Sequence, residues 1–429
     1  MKKMEKKLCK ILVCAAFTAV ILNFAPKKEV YAQKYYISEE GNDSSDGSKK
    51  TPFATFKHAL SQLKAGDTLL VKAGSYSEEI YIPSSLSGTD SQRITIKGYG
   101  HGDAIIDGDE KNVHLLEIDG ASYITIEKLK FENAVGNDSA GICVYPGSKE
   151  IKLIKNEITD ICITGDASED NNANGIIVYG NSTKTISDIE IKKNYIHDLD
   201  TGYSEALSVA GNCEDIEIKN NTIENISNIG IDCSGNYGYC PDPKLDYPRD
   251  CSIEKNKVSK CVSPYATSYG IYVDGAHKIE IKKNKVENCS GGIEIGAENS
   301  QSVNAYAASD IDVERNKIYD SSETAIAVGG YEKNLGMVGK VSIKNNLCRR
   351  NGDKDGAAMV ILSKCCDISF EKNRFFNDDG RGDVLYSEMP KEYTYNINFL
   401  NNKYANNDND SFVLNNVELT SLEGWKKKG

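Results

Sequence analysis

The sequence predicts an all-β solenoid, a fold built from stacked coils of short strands, and two observations support this fold class. The first is the stretch KIEIKKNKVENCSGGIEIG at residues 278–296, where short runs with alternating apolar residues are separated by Asn, Ser and Gly. Such runs are typical of short β-strands joined by turns. The second is the repetition, every 27 to 38 residues, of the asparagine that ends the first run. It recurs at Asn156, Asn194, Asn221, Asn256, Asn284, Asn316, Asn346, Asn373 and Asn402.

Repetition at this period predicts parallel stacking, because a single pair of short strands cannot bury its apolar face without neighbours. Asparagines at one corner can pair their side-chain amides from one coil to the next, which explains a polar residue at an interior position. The apolar fraction of 39% is low for a packed globule. It suits a thin core that is one coil wide.

The N-terminal segment, residues 1–32, has the features of a cleaved secretory signal. Five lysines precede an apolar run from Ile11 to Ala25, and Val30-Tyr31-Ala32 offers a small-residue cleavage site. The run is too short to predict a membrane span. We therefore expect a secreted, extracellular protein without a membrane anchor.

Three further segments follow the signal. Residues 33–110 are predicted to form an N-terminal cap and the first coil, residues 111–415 the β-helix repeats, and residues 416–429 a C-terminal tail. A capping helix is expected in the first of these, with Thr51 as its N-cap and Pro52 at its first position. Its apolar face would consist of Phe53, Phe56, Leu60 and Leu63.

The charge of the mature chain narrows the choice of partner. Without residues 1–32 the chain has 44 basic and 61 acidic residues, a net charge of −17. This field disfavours nucleic acid. It also disfavours a polyanionic glycan, unless a divalent cation or a local cluster of basic residues bridges the two sets of carboxylates.

Eleven cysteines remain in the mature chain, and several fall on predicted strands. Because cysteine is small and readily buried, we interpret most of them as core residues. Cys233 and Cys240 are the expected pair if a disulfide exists. No CxxC or HExxH motif is present, so the sequence predicts no structural zinc site.

The repeated stretch resembles the right-handed parallel β-helix proteins, a group that includes pectate lyases and chondroitinase B. The resemblance covers residues 35–415 and implies a right-handed parallel β-helix of about ten coils with an N-terminal capping helix. The N-terminal order YYIS…GNDSSDG…PFATFKHAL…AGDTLLVKAGSY is also similar to that of family 9 pectate lyases. Fold alone does not establish an activity.

The resemblance to family 9 pectate lyases implies calcium-binding aspartates on two successive coils and a catalytic lysine on the next. The nearest match consists of Asp355, Asp378 and Asp379. The position of the lysine falls near Val413, and another aspartate is displaced to Asp383. The pattern is therefore incomplete in this chain.

Long turns indicate where a binding site could lie. They follow strands of the type G-I-x-V at residues 235–250, 297–309 and 329–339, and would rise from one edge of the solenoid to wall a groove. Tyrosines can stack on sugar rings, while carboxylates and Arg can bind hydroxyls. The predicted substrate-binding residues are Tyr237, Tyr239, Lys244, Tyr247, Arg249 and Asp250 in the first turn, Glu298 in the second and Tyr331 in the third.

Strand register predicts the catalytic residues. Between inward-facing apolar pairs, the outward residues on three consecutive coils are Asp232, Tyr272 and Glu294. The backbones of the two acids would lie roughly 9–10 Å apart, since neighbouring strands are about 4.8 Å apart. Asp274 lies two residues beyond Tyr272 on the same strand.

These residues are compatible with more than one chemistry. Two acids at this separation suit an inverting glycoside hydrolase. Alternatively, Asp232, Asp274 and Glu294 could bind calcium against a uronate while a base such as Tyr272 removes a proton. The resemblance places a polysaccharide lyase acting on an acidic glycan first and the hydrolase second. A non-catalytic glycan-binding protein or adhesin is the alternative from another class, and we expect a monomer.

Overall fold

The computed structural model describes residues 32–111, 113–168, 171–300, 302–330, 332–352, 359–376, 384–387, 390, 392–404, 412–414 and 417–419. The predicted signal segment before residue 32 and most of the predicted C-terminal tail lie outside these ranges, as do Tyr331, Asp355, Asp378, Asp379 and Asp383. In the described part of the chain, no helix has the length and apolar character needed to cross a membrane.

The described residues form one short helix, α1 (Phe56–Gln62), and 37 strands. In chain order the strands are β1 (Lys34–Ile37), β2 (Thr68–Tyr76), β3 (Ile80–Pro83), β4 (Ile94–Lys111), β5 (His114–Asp119), β6 (Ile124–Glu127), β7 (Lys130–Val135), β8 (Ser139–Tyr145), β9 (Lys149–Ile154), β10 (Glu157–Thr159), β11 (Ile161–Cys162), β12 (Ala173–Gly180), β13 (Ile186–Lys192), β14 (Tyr195–Leu199), β15 (Glu205–Gly211), β16 (Cys213–Lys219), β17 (Thr222–Ile226), β18 (Ile229–Ser234), β19 (Arg249–Glu254), β20 (Lys257–Cys261), β21 (Tyr269–Asp274), β22 (His277–Lys282), β23 (Lys285–Glu287), β24 (Gly291–Gly296), β25 (Ala308–Glu314), β26 (Lys317–Tyr319), β27 (Thr324–Val328), β28 (Val338–Lys344), β29 (Leu347–Arg349), β30 (Val360–Leu362), β31 (Cys365–Glu371), β32 (Arg374–Phe376), β33 (Leu385–Ser387), β34 (Thr394–Leu400), β35 (Lys403–Tyr404), β36 (Phe412–Leu414) and β37 (Val417–Leu419).

Each regular coil contributes three strands, as in β16, β17 and β18. The first two belong to a sheet of 24 strands and the third to a sheet of 13 strands. Strands pair in parallel with their counterparts on the next coil, as β18 does with β21 and β21 with β24. The all-β parallel solenoid is therefore confirmed.

The number of coils exceeds the prediction. Twelve parallel strands succeed one another in the smaller sheet, and the last of them, β36, then pairs with β37 in antiparallel fashion. The solenoid thus has about twelve coils rather than about ten. The repeated asparagines do not mark the first coils, because Leu129 occupies the corner that Asn156 occupies one coil later. The backbone N–H of Leu129 donates to the side chain of Asn156, which shows that the two positions are equivalent.

The recurring asparagines form a continuous ladder inside the corner between the first two strands. The backbone N–H and the side-chain Nδ2 of Asn194 both donate to Oδ1 of Asn221, at 2.9 and 3.0 Å. The same Nδ2 also donates to the carbonyl of Leu153 at 2.9 Å, so the buried amide has no unmet donor. This pattern repeats from Asn156 to Asn402 and holds the coils in register.

The capping helix is present, but it starts later than predicted. Its N-cap is Thr55, whose side chain accepts a hydrogen bond from the backbone N–H of His58. Asp43 causes the shift, because its carboxylate accepts hydrogen bonds from the backbone N–H groups of Ala54 and Thr55 and keeps the preceding segment extended. The predicted apolar face is buried: Phe53, Phe56, Leu60 and Leu63 are each less than 9% exposed.

The eleven described cysteines are all unpaired, and ten of them are buried. Cys233 faces the core from β18, whereas Cys240 lies in the loop that follows. The disulfide expected between them is therefore not present, and cysteine serves here as a small core residue.

Candidate active site

A cavity of about 720 Å³ lies along the outer face of the 13-stranded sheet. It extends from the coil of β5 to the coil of β24, and the loop between β18 and β19 covers its C-terminal side. Its lining is polar and acidic. Five carboxylic acids face it, namely Asp138, Glu205, Asp232, Asp274 and Glu298.

Asp232 lies near the centre of this cavity, on β18. Its side chain is only 3% exposed, and Oδ1 has no hydrogen-bond partner in the described part of the chain. Burial raises the pKa of Asp232 well above the usual carboxyl range, and the charges of Glu205 and Asp274 raise it further. A buried carboxyl group with a free oxygen and a raised pKa is the arrangement expected of a proton donor.

Glu205 is the second carboxyl group of the cavity, and the sequence reasoning missed it. It begins β15, one coil before Asp232, and is half-buried. Burial raises its pKa to about 7, with smaller contributions from the charges of Glu298 and Asp274. Because Glu205 is also a main cause of the raised pKa of Asp232, the two acids interact as a pair.

Strict alternation along the strand predicts the wrong orientation for Glu205. Because Glu205 lies two residues before the inward-facing Leu207, alternation would place its side chain in the core as well. The strand departs from alternation at the residue between them. A side chain at Gly175, the counterpart of Ala206 on the preceding coil, would meet Leu199 and Ile196 in the core. Two consecutive residues therefore face inward, and Glu205 turns to the cavity. The signal in the sequence is the small residue that recurs at Gly141, Gly175, Ala206, Gly230, Gly270, Gly292 and Ala325.

Asp274 and Glu298 form the C-terminal end of the cavity together with Tyr237. The backbone N–H of Glu298 donates to Oδ1 of Asp274 at 2.8 Å. The hydroxyl of Tyr237 lies within hydrogen-bonding distance of Oδ2 of Asp274 and is 3.0 Å from Oε2 of Glu298. Burial and the charge of Glu298 raise the pKa of Asp274 to about 7.

The loop that carries Tyr237 is held rigidly by internal hydrogen bonds. Asp246, which is buried, accepts hydrogen bonds from the backbone N–H groups of Gly238 and Cys240 at 2.6 and 2.7 Å. Asn236 donates its side-chain amide to the carbonyls of Gly275 and Ala307, at 3.1 and 3.2 Å. These bonds anchor the loop to two later coils.

Register brings Tyr272 and Glu294 together as predicted, but only one of them faces the cavity. Tyr272 pairs with Asp232 on one side and with Glu294 on the other. Its hydroxyl donates to Oε1 of Glu298 at 3.3 Å, and its ring lines the cavity. Glu294 is half-buried on the far side of Tyr272 and is not among the lining residues. Burial raises its pKa, as do the charges of Asp274 and Glu298.

Most of the remaining predicted binding residues lie away from the cavity. Arg249 and Asp250 begin β19 in the larger sheet, so the first long turn ends before them. The guanidinium of Arg249 binds Glu214 at 2.6 Å, and Asp250 lies 3.4 Å from the ammonium group of Lys278.

The other two predicted residues of this loop also point elsewhere. The ring of Tyr247 packs against His277 with centroids 4.5 Å apart. Lys244 is exposed on the outside of the loop. Of the residues predicted in the first turn, only Tyr237 and Tyr239 line the cavity.

A row of tyrosines runs along the cavity from the N-terminal coils to its C-terminal end. The rings of Tyr179 and Tyr239 meet edge to face with centroids 5.5 Å apart. Tyr239 and Tyr237 are stacked with centroids 5.4 Å apart. Tyr145 lines the cavity on the coil before Tyr179. Such rings offer apolar faces and hydroxyl groups, a combination that suits carbohydrate.

Among the described residues that line the cavity, His114 is the single basic side chain. Hydrogen bonding to Cys143, and to Glu117, raises its pKa to about 10. Glu117 lies 2.7 Å from Nδ1 and pairs with the ring when it is protonated. The cavity therefore remains strongly acidic.

The residues predicted to hold calcium do not fit that ion. Calcium requires about six to eight oxygen ligands. Asp274 already accepts hydrogen bonds at both oxygens, and Glu294 lies outside the cavity that Asp232 faces. Within the described ranges, no group of three or more His, Cys, Asp or Glu side chains is arranged to bind a metal.

Comparison with known proteins identifies the family. The profile described as "Pel9A-like, right handed beta helix region" matches residues 35–263, just over half of the chain. The chain belongs to this Pel9A-like right-handed β-helix family. It is also 32% identical over 442 aligned positions to the uncharacterized protein YwoF of Bacillus subtilis strain 168, covering 97% of this chain and 89% of that protein. A shorter match, 32% identical over 81 residues, links 19% of this chain to 20% of pectate lyase PEL9 of Emericella nidulans.

Solved structures confirm the fold at low sequence identity. The lacto-N-biosidase of family GH136 from Eubacterium ramulus has a TM-score of 0.53 and 16% identity, covering 87% of this chain and 68% of its own. A rhamnogalacturonan lyase has a TM-score of 0.51 and 12% identity, covering 85% and 87%. At this identity the likeness establishes the β-helix architecture.

Proposed function

We propose that this protein is an exported glycoside hydrolase that cleaves an uncharged polysaccharide, with Asp232 and Glu205 as its paired carboxylic acids. The observation that carries the proposal is the buried carboxyl group of Asp232, which lines a tyrosine-rich cavity together with Glu205 and has no hydrogen-bond partner at Oδ1 in the described part of the chain. Similarity to a lacto-N-biosidase and a rhamnogalacturonan lyase supports a carbohydrate substrate.

The charge of the cavity favours an uncharged substrate. A uronate entering it would meet five carboxylic acids, and among the described lining residues the one basic side chain is His114, which lies 2.7 Å from Glu117. Each acid that is ionised would repel the uronate, and the raised pKa values of Asp232, Glu205 and Asp274 indicate that the cavity already disfavours negative charge. The hydroxyl groups of a neutral sugar can instead bind both carboxylates and protonated carboxyl groups.

The two acids can divide the chemistry of glycoside cleavage between them. Asp232, the more deeply buried, has a pKa that burial raises well above the usual carboxyl range, so it is the acid that donates a proton to the glycosidic oxygen as the bond to the leaving sugar breaks. Glu205, with a pKa of about 7, is the partner that more readily ionises. Its carboxylate stabilises the positive charge that develops on the sugar ring and assists the attack of water.

A polysaccharide lyase is the second candidate, because the family and the short match to a pectate lyase favour it. Such an enzyme needs a base that removes the proton beside the uronate carboxylate. Tyr272 was predicted for that role, but burial raises its pKa well above the usual value, and so do the nearby charges of Asp274 and Glu294. A phenol with a raised pKa ionises less readily to its basic form, which favours the hydrolase.

The proposal is tested by incubating the mature protein with neutral glycans (xylan, mannan, galactan and β-glucan) and with polyuronates, each with and without calcium. The hydrolase predicts new reducing ends from a neutral glycan and no unsaturated product. Unsaturated products from a polyuronate would establish the lyase instead. Binding to a glycan without cleavage by the parent protein would establish a non-catalytic binder.

The variant Tyr272→Phe separates the two enzymes further. A hydrolase that uses Asp232 and Glu205 keeps most of its activity, because the variant retains the aromatic ring. A lyase that uses the phenol as its base loses activity by about 10²-fold or more.

Export is checked separately by mass spectrometry of the extracellular protein, whose N-terminus we expect at or next to Gln33.

A further inference from the structure

The two ends of the cavity differ in how they are bounded. At the C-terminal end, the hydroxyl of Tyr237 bridges Asp274 and Glu298, and the hydroxyl of Tyr272 also donates to Glu298. We call these four residues the end wall. Glu294, on the coil after Tyr272, no longer faces the cavity.

The end wall is a built feature, because the loop behind it is fixed to the solenoid. Asp246 holds the loop from within through the N–H groups of Gly238 and Cys240, and Asn236 anchors it to the carbonyls of Gly275 and Ala307. The rings of Tyr237 and Tyr239 stack on each other with centroids 5.4 Å apart, and both line the cavity.

The N-terminal end of the cavity is bounded differently, by His114, which contacts the hydroxyl of Tyr145 at 3.2 Å and Glu117 at 2.7 Å. The connections that border the cavity on this edge are also shorter: residues 120–123, 146–148, 181–185 and 212 lead to β6, β9, β13 and β16, whereas residues 235–248 connect β18 to β19. The outward column continues past the cavity through Glu117 to Tyr81, whose side chain is 50% exposed. A glycan chain can therefore leave the cavity in this direction along the solenoid.

The acids lie close to the closed end. Asp232 is one coil from Asp274 and two coils from the strand that leads to Glu298. With neighbouring coils about 4.8 Å apart, only one or two sugar rings can lie between the acids and the end wall. The rest of the glycan must lie on the N-terminal side, along Tyr179 and Tyr145.

We propose that the protein acts on chain ends: the terminal one or two sugars occupy the space before the end wall, and the enzyme releases a mono- or disaccharide. This inference rests on the proposed function, since it names how that site selects its substrate. The end wall excludes internal segments of a polymer, because the chain cannot continue past Tyr237.

The first test follows early products from a neutral polysaccharide that the parent protein degrades. Action at chain ends predicts mono- or disaccharides from the start, while the polymer keeps its size until late in the reaction. Early fragments of intermediate length, or a rapid fall in viscosity, would overturn the proposal. Cleavage itself would then still support the hydrolase.

The variant Tyr237→Ala tests the wall directly. Removing the ring opens the C-terminal end, so we expect longer early products than the parent releases. Tyr195→Ala is the matched control, because Tyr195 lies on the opposite, larger sheet and binds Glu224. The control must give products of parental length. Parental products from a folded Tyr237→Ala variant, as judged by its melting temperature, would count against the end wall.

A binding measurement decides the inference even if the parent protein cleaves no glycan. The Asp232→Asn variant is titrated with xylo-, manno-, galacto- and gluco-oligosaccharides and with the matching polymers. A closed end predicts at most one protein molecule per chain, whatever the chain length. Several protein molecules on one long chain, measured by analytical ultracentrifugation, would refute the end wall, as would binding to none of these glycans.

Discussion

The outer faces of the two sheets carry acidic residues in opposite environments. On the larger sheet, Glu254 lies within 2.7 to 3.2 Å of the ammonium groups of Lys219, Lys255 and Lys283. Lys219 contributes most to lowering the pKa of Glu254 to about 2. On the smaller sheet, Glu205 lies among other acids, and burial raises its pKa to about 7.

This difference shows how one scaffold separates stability from chemistry. Outward positions on the larger sheet carry both Lys and Glu, and ion pairs link successive coils, as between Lys192 and Glu217 and between Lys219 and Glu254. The smaller sheet places Glu205, Asp232 and Asp274 along one cavity, where burial and the charges of neighbouring acids raise the pKa of each. Clustered shifts of this kind are typical of a reaction site.

The largest expected effect on stability comes from placing a carboxylate in the packed core, away from the cavity. Ile281 is fully buried in the core, whereas its neighbour Lys282 lies on the outer face of the larger sheet. Ile281→Asp should lower the free energy of unfolding by about 4 kcal/mol or more, because the charge has neither water nor a partner. Lys282→Asp should cost less than about 1 kcal/mol. Equal losses in chemical denaturation would show that the assigned faces are wrong.

The next effect concerns Asp232 itself. Asp232→Asn removes the proton donor, so we expect the rate on a cleavable glycan to fall by at least about 10²-fold. Its melting temperature should not fall, because Oδ1 of Asp232 has no hydrogen-bond partner among the described residues and the amide removes an ionisable group near Glu205. Full activity with an unchanged melting temperature would place the reaction elsewhere.

Variants of Glu205 and Glu294 test which of them is the second catalytic acid. The structure favours Glu205, whereas strand alternation in the sequence favours Glu294. Glu205→Gln should reduce the rate by about 10²-fold, because Glu205 faces the cavity and interacts with Asp232. Glu294→Gln should reduce it much less, since Glu294 lies beyond Tyr272. The reverse order of the two rate constants would restore Glu294 as the second acid.

The pH dependence of stability gives a smaller effect with a defined sign. Because the folded-state pKa of Glu205 is raised to about 7, its contribution to stability is complete below its ordinary pKa of 4.5 and is lost as the pH rises through 7. Glu205→Gln removes this loss. The variant should therefore gain on the order of 2 kcal/mol relative to the parent between pH 5 and pH 8. If the free energies of unfolding of the two proteins changed equally with pH across this range, the raised pKa of Glu205 would be contradicted.

Glu254 gives the smallest effect, with the opposite sign. Its folded-state pKa is lowered, so its contribution is present above the ordinary pKa of 4.5 and is lost as the pH falls through about 2. Glu254→Gln should lower the free energy of unfolding at neutral pH by less than about 1 kcal/mol, because surface ion pairs are screened. Its glycan-cleaving activity should equal that of the parent, and a loss of activity would connect this face to the reaction.

The sequence by itself was sufficient for the architecture. Asn194 and its equivalents fix the corner of each coil, and the inward residues follow from alternation, because both are local patterns repeated at one period. The register that aligns Asp232, Tyr272 and Glu294 was predicted for the same reason and is confirmed. Even the capping helix followed from local signals, and only its start shifted, through the contact of Asp43 with Thr55.

Only the tertiary structure decided which of these residues share a cavity. Glu205 joins Asp232 because two consecutive residues of its strand face inward, a departure from alternation that only the packed core reveals. Arg249 turned to Glu214 on the neighbouring strand, and Tyr237 reached Asp274 and Glu298 on later coils. Contacts of this kind depend on the path of a long loop in three dimensions. Residues 235–248 have no repeat that could specify that path in advance.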